Sequence, residues 1–217
     1  IDYHECSISC RQLSAFLTRR QNLLKTTIDS NAFLHLIPNE IEALYPTATV
    51  FVQVIRHPCH WARSYLSMLH EVGRHVVNSQ NLADKKWTSR YAAFQAKSLD
   101  PIKLFTQPED LTMRIKNIEE LCIYWNDSIN RVQNSISQDR LYIFPIEKMP
   151  DAISFIGNII NHAPSQVPHA NKSLAEVSTQ DDFRRACDLA IQKSNIVNGA
   201  LDTYRLKIEQ ITMKIAL

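Results

Sequence analysis

The residues best suited to chemistry lie in one short stretch, in which Arg56 follows an apolar run and Ser64 comes eight residues later. An arginine guanidinium can meet a phosphate with two parallel hydrogen bonds, and a serine hydroxyl or the first amides of a helix add further donors. His57, His60 and Arg63 add cationic or potentially cationic groups. The pattern predicts an anion site with Arg56 and Ser64 as phosphate ligands. The alternative is that Arg56 pairs with a carboxylate at a strand end and that Ser64 is an ordinary helix residue.

The elements that position these residues are a strand, a turn and a helix. The β-branched and apolar run from Thr49 to Ile55, bounded by Pro46 and Pro58, predicts an interior parallel strand that is buried on both faces. After Pro58 the apolar residues recur at helical spacing up to Gly73. Ligands of open α/β sheets bind at the carboxyl ends of the strands, which is where Arg56 stands.

The rest of the chain alternates helices with few strands. We expect helices over 7–22, over about 31–44 with a break or kink at Pro38, over 113–136, after a cap at Asp151, and twice beyond Thr179. A second parallel strand is predicted over Leu141 to Phe144. Residues 74–112 are less regular and indicate a variable insertion or lid. The order of elements favours an α/β fold with a small parallel sheet flanked by many helices.

Composition limits the classes of function. A chain of 217 residues that is 45% hydrophobic fits one domain, and a net charge of +2 is too small to indicate a general nucleic-acid surface. No stretch is long and apolar enough for a transmembrane helix. The three glycines lie far apart, so no glycine-rich phosphate loop is present. The five cysteines form no C-x-x-C motif and no zinc spacing, which favours scattered reduced thiols and the cytoplasm.

The run Arg56-His57-Pro58 through Ser64-Tyr65, placed after a strand, resembles the 3′-phosphate-binding segment of the sulfotransferases that use 3′-phosphoadenylyl sulfate (PAPS). Further stretches support the resemblance by their order and spacing, so that it extends over about residues 24 to 175. These stretches are Lys25-Thr26-Thr27, the run from Ala43 to Thr49, Glu147-Lys148-Met149-Pro150 and His169-Ala170-Asn171-Lys172-Ser173.

The resemblance implies a P-loop-NTPase-like sulfotransferase fold and PAPS as co-substrate, with no metal. The enzyme would transfer a sulfuryl group to a hydroxyl or amine of a carbohydrate, lipid, small molecule or protein. Arg56 and Ser64 would bind the 3′-phosphate, and Lys25 would stabilise charge during transfer. The resemblance also implies a first strand at the centre of the sheet, followed by a phosphate loop. Neither is found upstream of Arg56, so we expect 1–217 to be a single domain without them.

The general base is not identified by the resemblance. Thr27 stands where one branch of the family has its histidine, and Leu24 where another branch has its glutamate. The remaining candidates for the base are His4, Glu5, His35 and His60. Ile146 replaces a tyrosine of the family's later motif. An alternative function is therefore a non-catalytic sulfotransferase-like binding or interaction module. An alternative location is the Golgi lumen, with the anchor missing from this chain.

Overall fold

The computed structural model describes residues 14–19, 22, 37–45, 48–79, 99–107, 110–161 and 177–215. The chain divides into two compact units. The first, here called the strand unit, is built from segments 2–56, 126–169 and 205–217. The second, here called the helical unit, is built from segments 57–125 and 170–204.

The described part of the chain is mostly helical and contains two strands. In chain order the elements are α1 (Pro38–Leu44), β1 (Phe51–Ile55), α2 (Pro58–Asn78), α3 (Pro101–Thr106), α4 (Leu111–Ser135), β2 (Leu141–Pro145), a short 3-10 turn (Ile146–Lys148), α5 (Met149–Ile159), α6 (Val177–Lys193) and α7 (Asn195–Ile215). Residues 14–19 are also helical. Among the described helices, none is both long and apolar enough to cross a membrane.

The strand unit is organised around the parallel pair of β1 and β2, whose register runs from Phe51 opposite Leu141 to Ile55 opposite Pro145. Side chains alternate between the two faces of a strand, so each face packs on a different helix. Leu141 forms a buried cluster with Val132 of α4 and with Ile136, which directly follows α4. Phe51 and Ile143 pack against this cluster. On β2, Tyr142 and Phe144 contact Phe155 of α5, with ring centroids 4.4 and 5.6 Å apart respectively.

The amino end of this strand pair is closed by Arg140, which directly precedes β2. Its guanidinium donates from Nε to the carbonyl of Thr49 at 3.0 Å and lies 3.2 Å from a carboxylate oxygen of Glu42 on α1. The guanidinium carbon also stands 4.9 Å from the ring centroid of Phe51. Ser137 donates to the same Glu42 oxygen through its backbone N–H and its hydroxyl. Arg140 therefore joins α1 to both strands.

The helical unit contains a close approach of α2 to α3 at Gly73. A Cβ atom at this position would overlap the carbonyl group of Pro101 and lie 2.9 Å from the Cβ of Phe105. Glycine is thus required here by the lack of space and not by its backbone conformation. Helix α6 also packs against α2. The most deeply buried side chains of this unit form its core: Leu66, Leu69, Ile118, Leu121 and Val197.

The expected small parallel sheet among many helices is confirmed, and so is the parallel orientation of the two strands. This arrangement is compatible with the expected α/β class. The expected burial of the first strand is wrong. Within the described residues β1 has one neighbour, and Val54 is 41% exposed. The strand implied at the centre of the sheet does not separate β1 from β2, because these two strands pair directly along five residues.

Pro38 is the first residue of α1, a position at which a proline loses no intrahelical hydrogen bond. Residues 31–36 lie outside the described residues, so the helix expected before Pro38, with a break or kink at Pro38, stays a prediction. Lys148, and not Asp151, precedes the first residue of α5, and Asp151 lies in the first turn. Within 74–112 the described ends are regular, since α2 continues to Asn78 and α3 follows. Residues 80–98 lie outside the described residues.

Candidate functional site

Arg56 occupies the carboxyl end of β1, where the sequence places it. The preceding residue, Ile55, is 3% exposed, so the end of the strand is buried. Arg56 itself is half-buried. It forms no ion pair or hydrogen bond with any residue in the described ranges. The alternative expectation, a carboxylate partner at the strand end, therefore has no support among the described residues.

The helical unit begins with the turn and helix expected after Arg56. His57 precedes α2, its side chain does not cap the helix, and the first turn contains no acidic residue. Its ring lies 4.6 Å from the ring of His60, and its Nδ1 atom is buried with no hydrogen-bond partner among the described residues. The first backbone amides of a helix lack intrahelical partners, and the helix dipole places positive charge there. The start of the 21-residue helix α2 is therefore suited to a negative charge.

Ser64 is exposed on α2, about two turns into the helix. Beside it in sequence, Tyr65 is buried, and its ring stacks on that of Trp61 with centroids 5.0 Å apart. This packing fixes the rotation of α2 and leaves Ser64 on the outer side. Arg56 belongs to the strand unit and Ser64 to the helical unit. That the two side chains bind one phosphate stays a prediction from their spacing in the sequence.

Only some of the remaining candidate residues lie within the described ranges. Lys25, His4, Glu5 and His35 lie outside the described residues, as does the segment from His169 to Ser173. His60 is exposed in the first turn of α2, and its role as general base stays a prediction. Ile146 begins the turn after β2, at the same end of the strand pair as Arg56.

Sequence reasoning missed a cluster of cysteines in the helical unit. Cys59 on α2, Cys122 on α4 and Cys187 on α6 are free thiols with exposures of 1%, 0% and 6%. The thiol of Cys187 lies 3.6 Å from the backbone carbonyl oxygen of Cys59. The three residues are far apart in the chain, so only the packing of three helices brings them together. No spacing signal in the sequence could have revealed this cluster.

The neighbouring thiols change the acidity of all three cysteines. Hydrogen bonds from the Cys122 thiol and then the Cys187 thiol lower the pKa of Cys59 far below that of a free thiol, and the nearby His57 and His60 act in the same direction. The interaction with Cys59 raises the pKa of Cys122 and Cys187, and burial raises both further. The cluster thus favours a thiolate at Cys59. In the described residues, no group of histidine, cysteine and carboxylate side chains is arranged to hold a metal ion.

Comparisons with known proteins identify no relative of this chain. No protein-family model matches the sequence, and neither the curated proteins nor the solved structures contain a significant match.

Proposed function

We propose that this protein is a PAPS-dependent sulfotransferase that transfers a sulfuryl group to a hydroxyl or amine. The observation that carries the proposal is the position of Arg56 and its lack of an ionic partner among the described residues. This arginine is half-buried at the carboxyl end of a parallel strand, directly before a helix whose start lacks a side-chain cap. Arginine at such a point binds a phosphate well, because bidentate, charge-assisted hydrogen bonds are about twice as strong as neutral ones.

The residues of the chain then take separate roles. Arg56 holds the 3′-phosphate of PAPS, and the Ser64 hydroxyl donates a further hydrogen bond to it. PAPS supplies the activated sulfuryl group. Lys25 stabilises the negative charge that develops on the leaving phosphate, because a cation near that oxygen is worth most in the transition state. His60 is the described candidate for the base that removes the proton of the acceptor.

Calorimetric titration of the protein with 3′-phosphoadenosine 5′-phosphate (PAP) tests the proposal, with adenosine 5′-phosphate (AMP) as the matched ligand without the 3′-phosphate. The native protein should bind PAP tightly and AMP weakly. Arg56→Ala should weaken PAP binding about ten- to hundredfold and leave AMP binding nearly unchanged. Arg131→Ala, which removes an exposed arginine of α4, is the control and should change neither affinity.

Equal weakening of both ligands by Arg56→Ala would show that the arginine is structural and would refute the 3′-phosphate assignment. Transfer itself is tested separately by the release of PAP from PAPS in the presence of hydroxyl and amine acceptors. The native protein should release PAP with at least one acceptor class, and Lys25→Ala should reduce the rate.

A second candidate function is a sulfotransferase-like module that binds a partner without catalysis. The observation that favours it is the direct pairing of β1 with β2, where the resemblance implies a strand at the centre of the sheet. Thr27, at the position of the family's histidine, points in the same direction. A native protein that binds neither PAP nor AMP would favour the module over the enzyme.

A further inference from the structure

The cysteine cluster of the helical unit carries an inference that is independent of the proposed function. Cys59 lies in the first turn of α2, where backbone amides and the helix dipole stabilise a negative charge. No acidic residue lies in that turn. The two thiols around it come from α4 and α6. A buried group of three thiols around one helix start differs from a single buried cysteine, which is inert because its surroundings are only apolar.

We propose that Cys59 is an oxidation site, and that a peroxide converts Cys59 and Cys187 into an intramolecular disulfide. Cys187 is the partner because α6 packs closely against α2 and because its thiol already lies 3.6 Å from the backbone of Cys59. Cys122 has the role of a hydrogen-bond donor that keeps Cys59 ionised. Because Cys59 is only 1% exposed, the proposed oxidant must be small. Hydrogen peroxide meets this requirement, since it is little larger than water.

The reaction has two steps. In the first, the Cys59 sulfur attacks one oxygen of the peroxide, the O–O bond breaks, and hydroxide leaves and takes a proton to form water. In the second, the Cys187 sulfur attacks the Cys59 sulfenic acid, an S–S bond forms, and the oxygen leaves as a second water with the proton of Cys187. The two sulfurs lose two electrons together, and the peroxide gains them.

The environment of Cys187 supports the second step. The thiolate of Cys59 is what chiefly raises the pKa of Cys187, and Arg63 acts against that effect. Once Cys59 has become a neutral sulfenic acid, the negative charge that held the proton on Cys187 is gone. Oxidation of the first cysteine therefore removes the main cause of the raised pKa of the second one, and burial is the cause that remains.

The test is treatment of the reduced, folded protein with hydrogen peroxide, followed by counting of thiols after denaturation and by peptide mapping without reductant. The native protein should lose two of its five thiols and yield a peptide pair joined through Cys59 and Cys187. Cys187→Ala should yield no disulfide and should accumulate a sulfenic acid at Cys59, which a 1,3-dicarbonyl reagent traps. Cys122→Ala, the matched control, should still form the disulfide, but more slowly.

Three results would overturn the proposal. They are a disulfide that joins Cys59 to Cys122, oxidation confined to Cys6 and Cys10, and a Cys59 that stays reduced while the denatured protein is oxidised. Near-ultraviolet circular dichroism identifies variants that do not fold. Because Cys187→Ala and Cys122→Ala each keep Cys59, the test does not depend on the folding of a variant without Cys59.

Discussion

The two ends of the β1–β2 pair each have an arginine, and the two arginines have opposite surroundings. At the amino end, Arg140 is 9% exposed and has contacts with Glu42, Thr49 and Phe51. At the carboxyl end, Arg56 is half-buried and has no ionic partner among the described residues. The arginine that precedes β2 thus has ionic and hydrogen-bonded partners, and the arginine that follows β1 has none among the described residues.

The difference shows that residue type alone does not identify a binding arginine. A guanidinium has five donors, and a buried one must have them satisfied within the protein or by a ligand. At the amino end α1 brings a carboxylate to Arg140, and Ser137 donates to the same carboxylate. At the carboxyl end the chain turns directly into α2, whose start favours anions and brings no acidic residue in its first turn. The partners of the guanidinium, and not the residue type, therefore distinguish the two arginines.

The largest expected effect is the loss of stability on replacement of Arg140. Arg140→Met should lower the free energy of unfolding by about 3 kcal/mol, because it leaves the Glu42 carboxylate half-buried without its cation and the Thr49 carbonyl without its donor. Urea unfolding followed by circular dichroism measures this change. Combining the variant with Glu42→Gln should recover part of the loss. A decrease in the free energy of unfolding of less than about 1 kcal/mol would show that Arg140 is no more important for stability than Arg56 is expected to be.

The second-largest effect is expected for Arg56, whose replacement should weaken binding and leave stability nearly unchanged. Arg56→Ala should change the free energy of unfolding by less than about 1 kcal/mol, since no described partner is left unpaired. Its effect should appear instead in the ten- to hundredfold loss of PAP affinity described above. Urea unfolding and calorimetry on the same preparation give both values. If Arg56→Ala destabilises the protein as much as Arg140→Met does, then both arginines are structural.

The smallest effects concern the serines that accompany the two arginines. Ser137→Ala should lower the free energy of unfolding by about 1 kcal/mol, since the Glu42 carboxylate loses one donor. Ser64→Ala should leave stability unchanged and weaken PAP binding about fivefold, the value of one neutral hydrogen bond. Ser154→Ala, an exposed serine of α5, is the control for both. A change in stability for Ser64→Ala with no change in affinity would contradict the assignment.

Local patterns predicted much of the fold. The β-branched run before Arg56 and the short run from Leu141 form the two strands, and the apolar period beyond residue 113 forms α4. Each of these predictions uses only residues that lie close together in the sequence. The burial of β1 was wrong because a continuous apolar run shows what a strand can bury and does not show how many neighbours it has.

In the candidate site, too, the features that depend on local spacing could be predicted, and those that depend on distant residues could not. The position of Arg56 at a strand end and of Ser64 on the following helix could be predicted, because both depend on local spacing. The role of Arg140 could not, because Glu42 lies far away in the sequence and reaches it only in the folded strand unit. The cysteine cluster was missed for the same reason, since Cys59, Cys122 and Cys187 come from three separate helices.

The close approach of α2 to α3 has a consequence for how this sequence can vary. Any side chain at Gly73 would push against the backbone of Pro101, which cannot move aside as a flexible side chain would. Gly199, in α7, has open space around it and tolerates a Cβ. In a library that randomises both codons and selects for soluble protein, position 73 should return glycine almost alone. Position 199 should return many residues, with alanine, the better helix former, enriched over the glycine now present.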